Sequence, residues 1–216
     1  MRWKRILERE KHFYVDFSGG KDSLKVLQLI YENFPKNKYT VLYARWQDNT
    51  HPLCDLYVKK LCETLDVNLE VITIPRLFFV ELLRRGCPTK IDRWCKTLKL
   101  SVLRQYKGLH VTGISERTDN VQLYAYSKGS DNRVLAPLLE VDVKLWLPLN
   151  PLYDIIGDSG NCIFCPFKPE EKIEKINKIP EYKEMLLDVL KHVQDRGGYI
   201  TKWLTILGRE KVIMMI

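Results

Sequence analysis

"HFYVDFSGGKDSLKVLQLIYENF", residues 12–34, joins an apolar strand-like run to a helix-like run through two serines, two glycines, a lysine and an aspartate. Leaving the strand, Ser18-Gly19-Gly20 suits a tight turn whose backbone N–H groups lie at the N-terminus of the next helix, where the dipole favours an anion. Lys21 adds a mobile positive charge, and the Ser18 and Ser23 hydroxyls can donate to oxyanion oxygens. Asp22 beside an anion is costly unless it caps the helix, orients Lys21 or faces Mg²⁺. A Walker loop would need glycine where Val15 stands and Ser or Thr where Asp22 stands, so that reading fails. The stretch reads as a phosphate or sulfate cradle at a strand-to-helix junction. The bland alternative is an unliganded Gly-Gly turn capped by Asp22.

Strand-like and helix-like segments alternate on both sides of this junction, which predicts a parallel α/β sheet. The strand candidates are 13–17, 39–46, 69–74, 109–114 and 134–139, rich in Val, Ile, Leu and Tyr as strands buried on both faces are. Between them Leu24, Leu27, Tyr31 and Phe34, then Leu56, Leu61 and Leu65, then Leu98, Val102 and Tyr106 recur at helical spacing. The expectation is a five-stranded parallel sheet with helices on both faces. Residues 1–167 read as one nucleotide-binding domain, and 168–216, lysine-rich and helical, as a C-terminal helical extension packed on it.

The 216 residues suffice for one core, with 45% hydrophobic content. No apolar run is long enough to span a membrane and the N-terminus lacks a signal peptide's apolar block, so the expected location is the cytoplasm. Thirty-five Lys and Arg against 27 Asp and Glu give a formal charge of +8, which favours nucleotides, sulfate or RNA as partners or reflects a solvated lysine surface. Six cysteines without an export signal point to metal binding, catalysis or burial rather than a disulfide framework.

Three segments narrow the reading. "HPLCDLYVKKL" (51–61), "GCPTKIDRWCKTLK" (86–99) and "NPLYDIIGDSGNCIFCPF" (150–167), together with SGGKDS, resemble in order the motifs of the phosphoadenosine phosphosulfate (PAPS) reductase family, within the ATP pyrophosphatase or adenine nucleotide α-hydrolase superfamily. The resemblance implies that family's fold and an adenine nucleotide, ATP or a sulfonucleotide, held with Mg²⁺ through Ser18, Gly19, Gly20, Lys21, Asp22 and Ser23, with Lys21 and Asp22 the catalytic candidates. Gly113 and Arg117 follow the fourth strand in "GISERTDN", where the family often carries Gly-Ile-Arg; here Ser115 takes the arginine's place and Arg117 is the candidate replacement. Asp48, after the second strand, faces the ribose or a metal, or caps a helix.

Cys162 and Cys165 have the two-residue spacing that lets two thiolates face one metal. Cys95, in the segment similar to the family's Arg-Trp-Cys, is the third ligand candidate and Cys87 the fourth, for a 4Fe–4S cluster or, alternatively, zinc; inert thiols or a Cys162–Cys165 disulfide are the alternatives. Cys54 and Cys62 read as core. Arg93 and Lys99 contact phosphates or form a basic helix face. His12, His51, His110 and His192 read as ordinary surface or core residues, and Trp94, Trp146 and Trp203 as core or as base-stacking platforms.

The family's reductases attack with a cysteine in a C-terminal Glu-Cys-Gly-Leu-His segment, and here no cysteine follows Cys165. Asp158 stands where an arginine often precedes the last cysteine pair. Both departures favour adenylation or sulfur transfer, including ATP-dependent tRNA thiolation, over sulfonucleotide reduction. A non-catalytic nucleotide-binding subunit is the other alternative. A tRNA, a sulfur-carrier protein and a second copy of the chain are the candidate macromolecular partners.

Overall fold

The computed structural model describes residues 1–115, 122–126 and 131–209. It is an α/β fold around a six-stranded sheet of β1 (Phe13–Asp16), β2 (Tyr39–Arg45), β3 (Leu69–Thr73), β4 (Leu109–Val111), β5 (Tyr124–Tyr126) and β6 (Arg133–Leu135). The strand order is β3-β2-β1-β4-β6-β5, parallel throughout except for β5, which pairs antiparallel with β6 at the edge. All five expected parallel strands are present, and the sixth is an addition. Three residues, Tyr124 to Tyr126, are too few for a two-residue period to show. The expected strand 134–139 is cut at Leu135 and continues as a 3₁₀ turn, Pro137–Leu139. Pro137 has no N–H to donate to a ladder, which accounts for the early stop.

Helices α1 (Arg2–Glu8), α2 (Lys21–Asn33), α3 (Pro52–Leu65), α4 (Phe78–Arg85) and α5 (Trp94–Leu103) precede β4; α6 (Leu152–Ile156), α7 (Glu170–Asn177), α8 (Pro180–Leu190) and α9 (Tyr199–Leu207) follow the sheet. On α3 the buried stripe is Cys54, Val58, Leu61, Cys62 and Leu65, so both cysteines are core, while Leu56, expected inside, is exposed. Steps of three and four from Cys54 reach Val58, Leu61 and Leu65, and Leu56 falls on the other side of the helix. The stretch 2–8 anchors Trp3 and Leu7 in the core. No helix among the described residues is long and apolar enough to cross a membrane.

The α7–α9 segment closes on the cysteine-bearing loop. Trp203 of α9 is fully buried against Phe164, and its indole N–H donates to the Cys165 carbonyl at 3.3 Å. Lys202 donates to the Lys168 carbonyl at 2.7 Å, and the Cys87 amide donates to the Gln194 carbonyl at 3.1 Å. Trp94 is also core, its N–H on the Gly86 carbonyl at 3.1 Å, whereas Trp146 lies 59% exposed.

β1 and β4 are adjacent at the sheet's centre, yet their connections leave in opposite directions, toward β2 on one side and β6 on the other. In open parallel sheets a crevice forms outside the carboxyl ends of two such strands.

Candidate functional site

Phe17 prolongs the β1–β2 pairing, its N–H on the Leu42 carbonyl at 2.9 Å, and the chain then turns at Gly19. Gly19 has φ 73, and a Cβ there would lie 3.0 Å from Cys54 Sγ and 3.2 Å from Val58. Both the left-handed backbone and the approach of α3 therefore call for glycine. Gly20 is the N-cap of α2, and it brings no side chain to cap the first turn.

The two serines brace this turn. The Ser23 hydroxyl donates to the Gly20 carbonyl at 2.9 Å and accepts the Ser18 amide at 3.2 Å; with Ser23's hydrogen so engaged, the Ser18 hydroxyl donates to it across 3.0 Å. Ser23 is buried. Its hydroxyl, expected to face an oxyanion, ties the Ser18 amide to the Gly20 carbonyl and so braces the turn from the first turn of α2.

Residues 150–161 hold the loop from outside. Tyr153 of α6 accepts the Lys21 amide at 2.8 Å, and its own phenolic hydrogen remains a donor. Asn150, buried, donates to the Ser159 carbonyl at 3.0 Å and the Gly19 carbonyl at 3.4 Å and accepts the Leu152 amide at 3.0 Å. Asn161, also buried, donates to the Ser18 carbonyl at 3.1 Å and accepts the Lys99 ammonium on Oδ1. These three residues supply the loop's outer wall, and sequence reasoning did not single them out. Tyr153 stands within the quoted Asn-Pro-Leu-Tyr segment, which was the available signal.

The loop opens on a cavity of about 320 Å³ lined also by Asp16, Gly113 and Tyr153. Lys21 and Asp22 are exposed on its rim. Gly113 packs its backbone on the first turn of α2: a Cβ there would lie 2.6 Å from the Ser23 nitrogen. Ser115 donates to Asp22 at 3.3 Å. Arg117 lies outside the described residues. Asp48 is elsewhere: its two oxygens accept the Phe78 and Phe79 amides at 2.7 and 2.8 Å, so it caps α4, the alternative that the sequence left open.

Ser18, Gly19, Gly20, Lys21, Asp22, Ser23 and Gly113 are thus brought together, and Asp48 is not among them. Mg²⁺ takes one or two carboxylates plus ligand oxygens, and of these residues Asp22 is the one whose carboxylate could hold it.

The four cysteine candidates are free thiols in one neighbourhood. Burial pushes the Cys87 thiol up to about 12, with the charges of Asp195, Cys95 and Cys165 adding to it. Burial likewise raises Cys95 to about 11, with Cys162 and Cys165 adding, and it raises Cys165, with Cys162 adding. Cys87 donates to the Pro88 carbonyl at 3.6 Å, and the Lys99 ammonium lies 3.8 Å from Cys162 Sγ. Among the described residues no three His, Cys, Asp or Glu side chains converge as metal ligands do. As placed, the four thiols therefore do not fit a 4Fe–4S cluster or a zinc ion. Asp158 is paired with the buried Lys168 and accepts the Gly160 amide at 2.8 Å, and the Arg93 guanidinium stacks over Phe167 at 4.8 Å.

No protein-family model matches the sequence. No curated protein matches it either. Among solved structures, the crystal structure of phosphoadenylyl-sulfate (PAPS) reductase from Candida auris, in a phosphate complex, is similar with a TM-score of 0.48 and 15% identity, over 70% of this chain and 83% of that one.

Proposed function

We propose that this chain is a PAPS reductase-family protein that binds an adenine nucleotide by its phosphate or sulfate end at the Ser18–Ser23 loop and acts in adenylation or sulfur transfer through chemistry between the α and β phosphates. The observation that carries this reading is the loop's placement: the uncapped N-terminus of a 13-residue helix opens on a cavity at the centre of a parallel sheet, with Lys21 on its rim. A helix N-terminus, a mobile ammonium and the Tyr153 hydroxyl together offer an anion donors and positive potential.

In the adenylation reading an acceptor oxygen attacks the α phosphorus, the bond to the bridging oxygen breaks, and pyrophosphate leaves with that electron pair. Lys21 offsets the charge that accumulates on the leaving group. Mg²⁺, when bound, supplies further neutralisation of the phosphates. Ser115, standing where the resemblance expects arginine, spends its hydroxyl on Asp22. The charge of +8 suits a tRNA acceptor, with a small molecule or a sulfur-carrier protein as the other acceptor classes.

Titration calorimetry with pyrophosphate, ATP and GTP tests the reading. ATP is expected to bind at least about tenfold more tightly than GTP, a difference of about 1.4 kcal/mol. Gly20→Val is expected to abolish binding while the fold persists, because its methyls would enter a space whose nearest atoms are Ser18 Oγ at 3.2 Å and the Tyr153 hydroxyl at 3.7 Å. Equal affinity for ATP and GTP would leave only a general anion hole, and unchanged binding by the valine variant would remove the loop from the site. Pyrophosphate release with candidate acceptors separates an enzyme from a binding subunit.

A further inference from the structure

At the cavity floor, Asp16 of β1 meets His110 of β4. His110 Nδ1 lies 2.9 Å from Asp16 Oδ1, and Nε2 lies 2.8 Å from the Tyr106 carbonyl. A carbonyl oxygen only accepts, so Nε2 carries a hydrogen. A 2.9 Å contact between Nδ1 and a carboxylate oxygen needs a second hydrogen, on the ring or on the acid. Imidazolium with carboxylate and imidazole with carboxylic acid are the two ways to divide these hydrogens, and each sums to zero charge. The neutrality of the pair follows from its geometry. The His110 side chain is 5% exposed and that of Asp16 19%, so the carboxyl reaches the cavity while the imidazole stands behind it.

We infer that His110 is a positioning residue of the anion site: by sharing a proton with Asp16 it cancels the carboxylate at the cavity floor, and anions are repelled when that proton leaves. This inference rests on the proposed reading of the loop. With the pair neutral, the side-chain charges at the cavity are those of Lys21 and Asp22, which cancel, and the positive end of α2 then sets the sign of the potential. With the proton gone, Asp16 adds an uncompensated negative charge.

The groups around the pair are Tyr14 of β1, whose ring lies 5.3 Å from the imidazole, Tyr106, whose ring packs on Tyr14 at 5.5 Å, Val134 of β6 beside His110, and Lys21 and Asp22 on α2 at the cavity rim. Burial works against a charged His110, but the hydrogen bond and charge of Asp16, with the Tyr106 carbonyl, outweigh it and raise its pKa above the ordinary histidine value. Burial also raises Asp16, against the pull of His110. Both shifts favour keeping the shared proton. A raised His110 places the loss of that proton on the alkaline side: anion binding is full below the ordinary histidine range and falls as pH rises through the raised value.

The test is binding of inorganic sulfate, whose charge is constant over the range, from pH 6 to about pH 9.5. Wild-type affinity is expected to fall on the alkaline side. His110→Gln takes the compensating charge away from Asp16 and is expected to bind at least about tenfold more weakly wherever that carboxyl is ionised, the order expected of one added unit charge a few ångströms from the anion. Asp16→Asn removes the charge and is expected to bind sulfate at least as tightly as wild type, with no alkaline fall. The double variant D16N/H110Q is expected to regain most of what H110Q loses, which separates lost neutralisation from a misfolded sheet. A flat wild-type profile, full-strength binding by H110Q, or no regain in a folded double variant would overturn the inference. Absence of sulfate and pyrophosphate binding by wild type at every pH would instead overturn the reading of the loop, and this inference with it.

Discussion

Replacing Gly113 by alanine is expected to destabilise the protein by about 3 kcal/mol, at the upper end of core overpacking, and to abolish anion binding. A Cβ at this position would lie 2.6 Å from the Ser23 nitrogen, 2.8 Å from the Asp22 carbonyl carbon and 2.9 Å from the Ser23 Cα. These are backbone atoms of the first turn of α2, and no rotamer change moves them away. The residue following β4 must retreat, or the helix must slide outward and take its N-terminal N–H groups off the anion position. For a chain of this length each kcal/mol is worth about 2–4 °C, so the melting temperature should fall by about 6–12 °C. Thermal melts with sulfate titration check both parts. An alanine variant as stable as wild type would mean that β4 and α2 do not approach so closely.

Glycine at 113 shows how far a sequence reading reaches. The residue was read as nucleotide-binding from its place after the fourth strand, and it does line the cavity, but its necessity comes from a contact 90 positions back along the chain, between Gly113 and Ser23. The parallel strands were legible as apolar runs bounded by turn residues; β2 and β4 are indeed buried on both faces, whereas the edge strand β3, expected to be so, is largely exposed. The turn between β1 and α2 was legible because its residue types are concentrated in six positions.

What stayed hidden is what depends on tertiary neighbours. Asp48 carries the same carboxylate whether it faces a ribose or caps α4, and the position of Phe78 and Phe79 decides between these. His110 shows no spacing to another histidine, and its partner is a carboxylate on the neighbouring strand. Cys87, Cys95, Cys162 and Cys165, which motif order lists together, are near enough to influence one another's charge, whereas the packing that buries each thiol is not encoded in their spacing. Leu56 was misplaced because a three-residue sample of a helix fits more than one face.

Asn161 is the least conspicuous of these residues, and its removal is expected to have the second large effect. In the sequence it only precedes Cys162. In the fold its side chain spans two parts of the site, donating to the Ser18 carbonyl at 3.1 Å and accepting the Lys99 ammonium, while its own carbonyl accepts the Thr50 hydroxyl at 3.0 Å. Asn161→Ala keeps the last of these and loses the first two. It leaves a carbonyl and a half-buried ammonium each without that partner, at about 1–3 kcal/mol for the carbonyl and more for the charge. The expected total is about 3 kcal/mol, with a melting temperature lower by about 6–12 °C and weaker binding of pyrophosphate, since Ser18 begins the loop. Lys99→Met in the same chain removes the ammonium that lost its partner. If the linkage is as the geometry has it, K99M/N161A is less destabilised than the sum of the single variants by about 1 kcal/mol or more, as groups in one network are. Simple additivity in that cycle would show that Lys99 and Asn161 stabilise the fold independently, and would break the link drawn here between the cysteine segment and the anion loop.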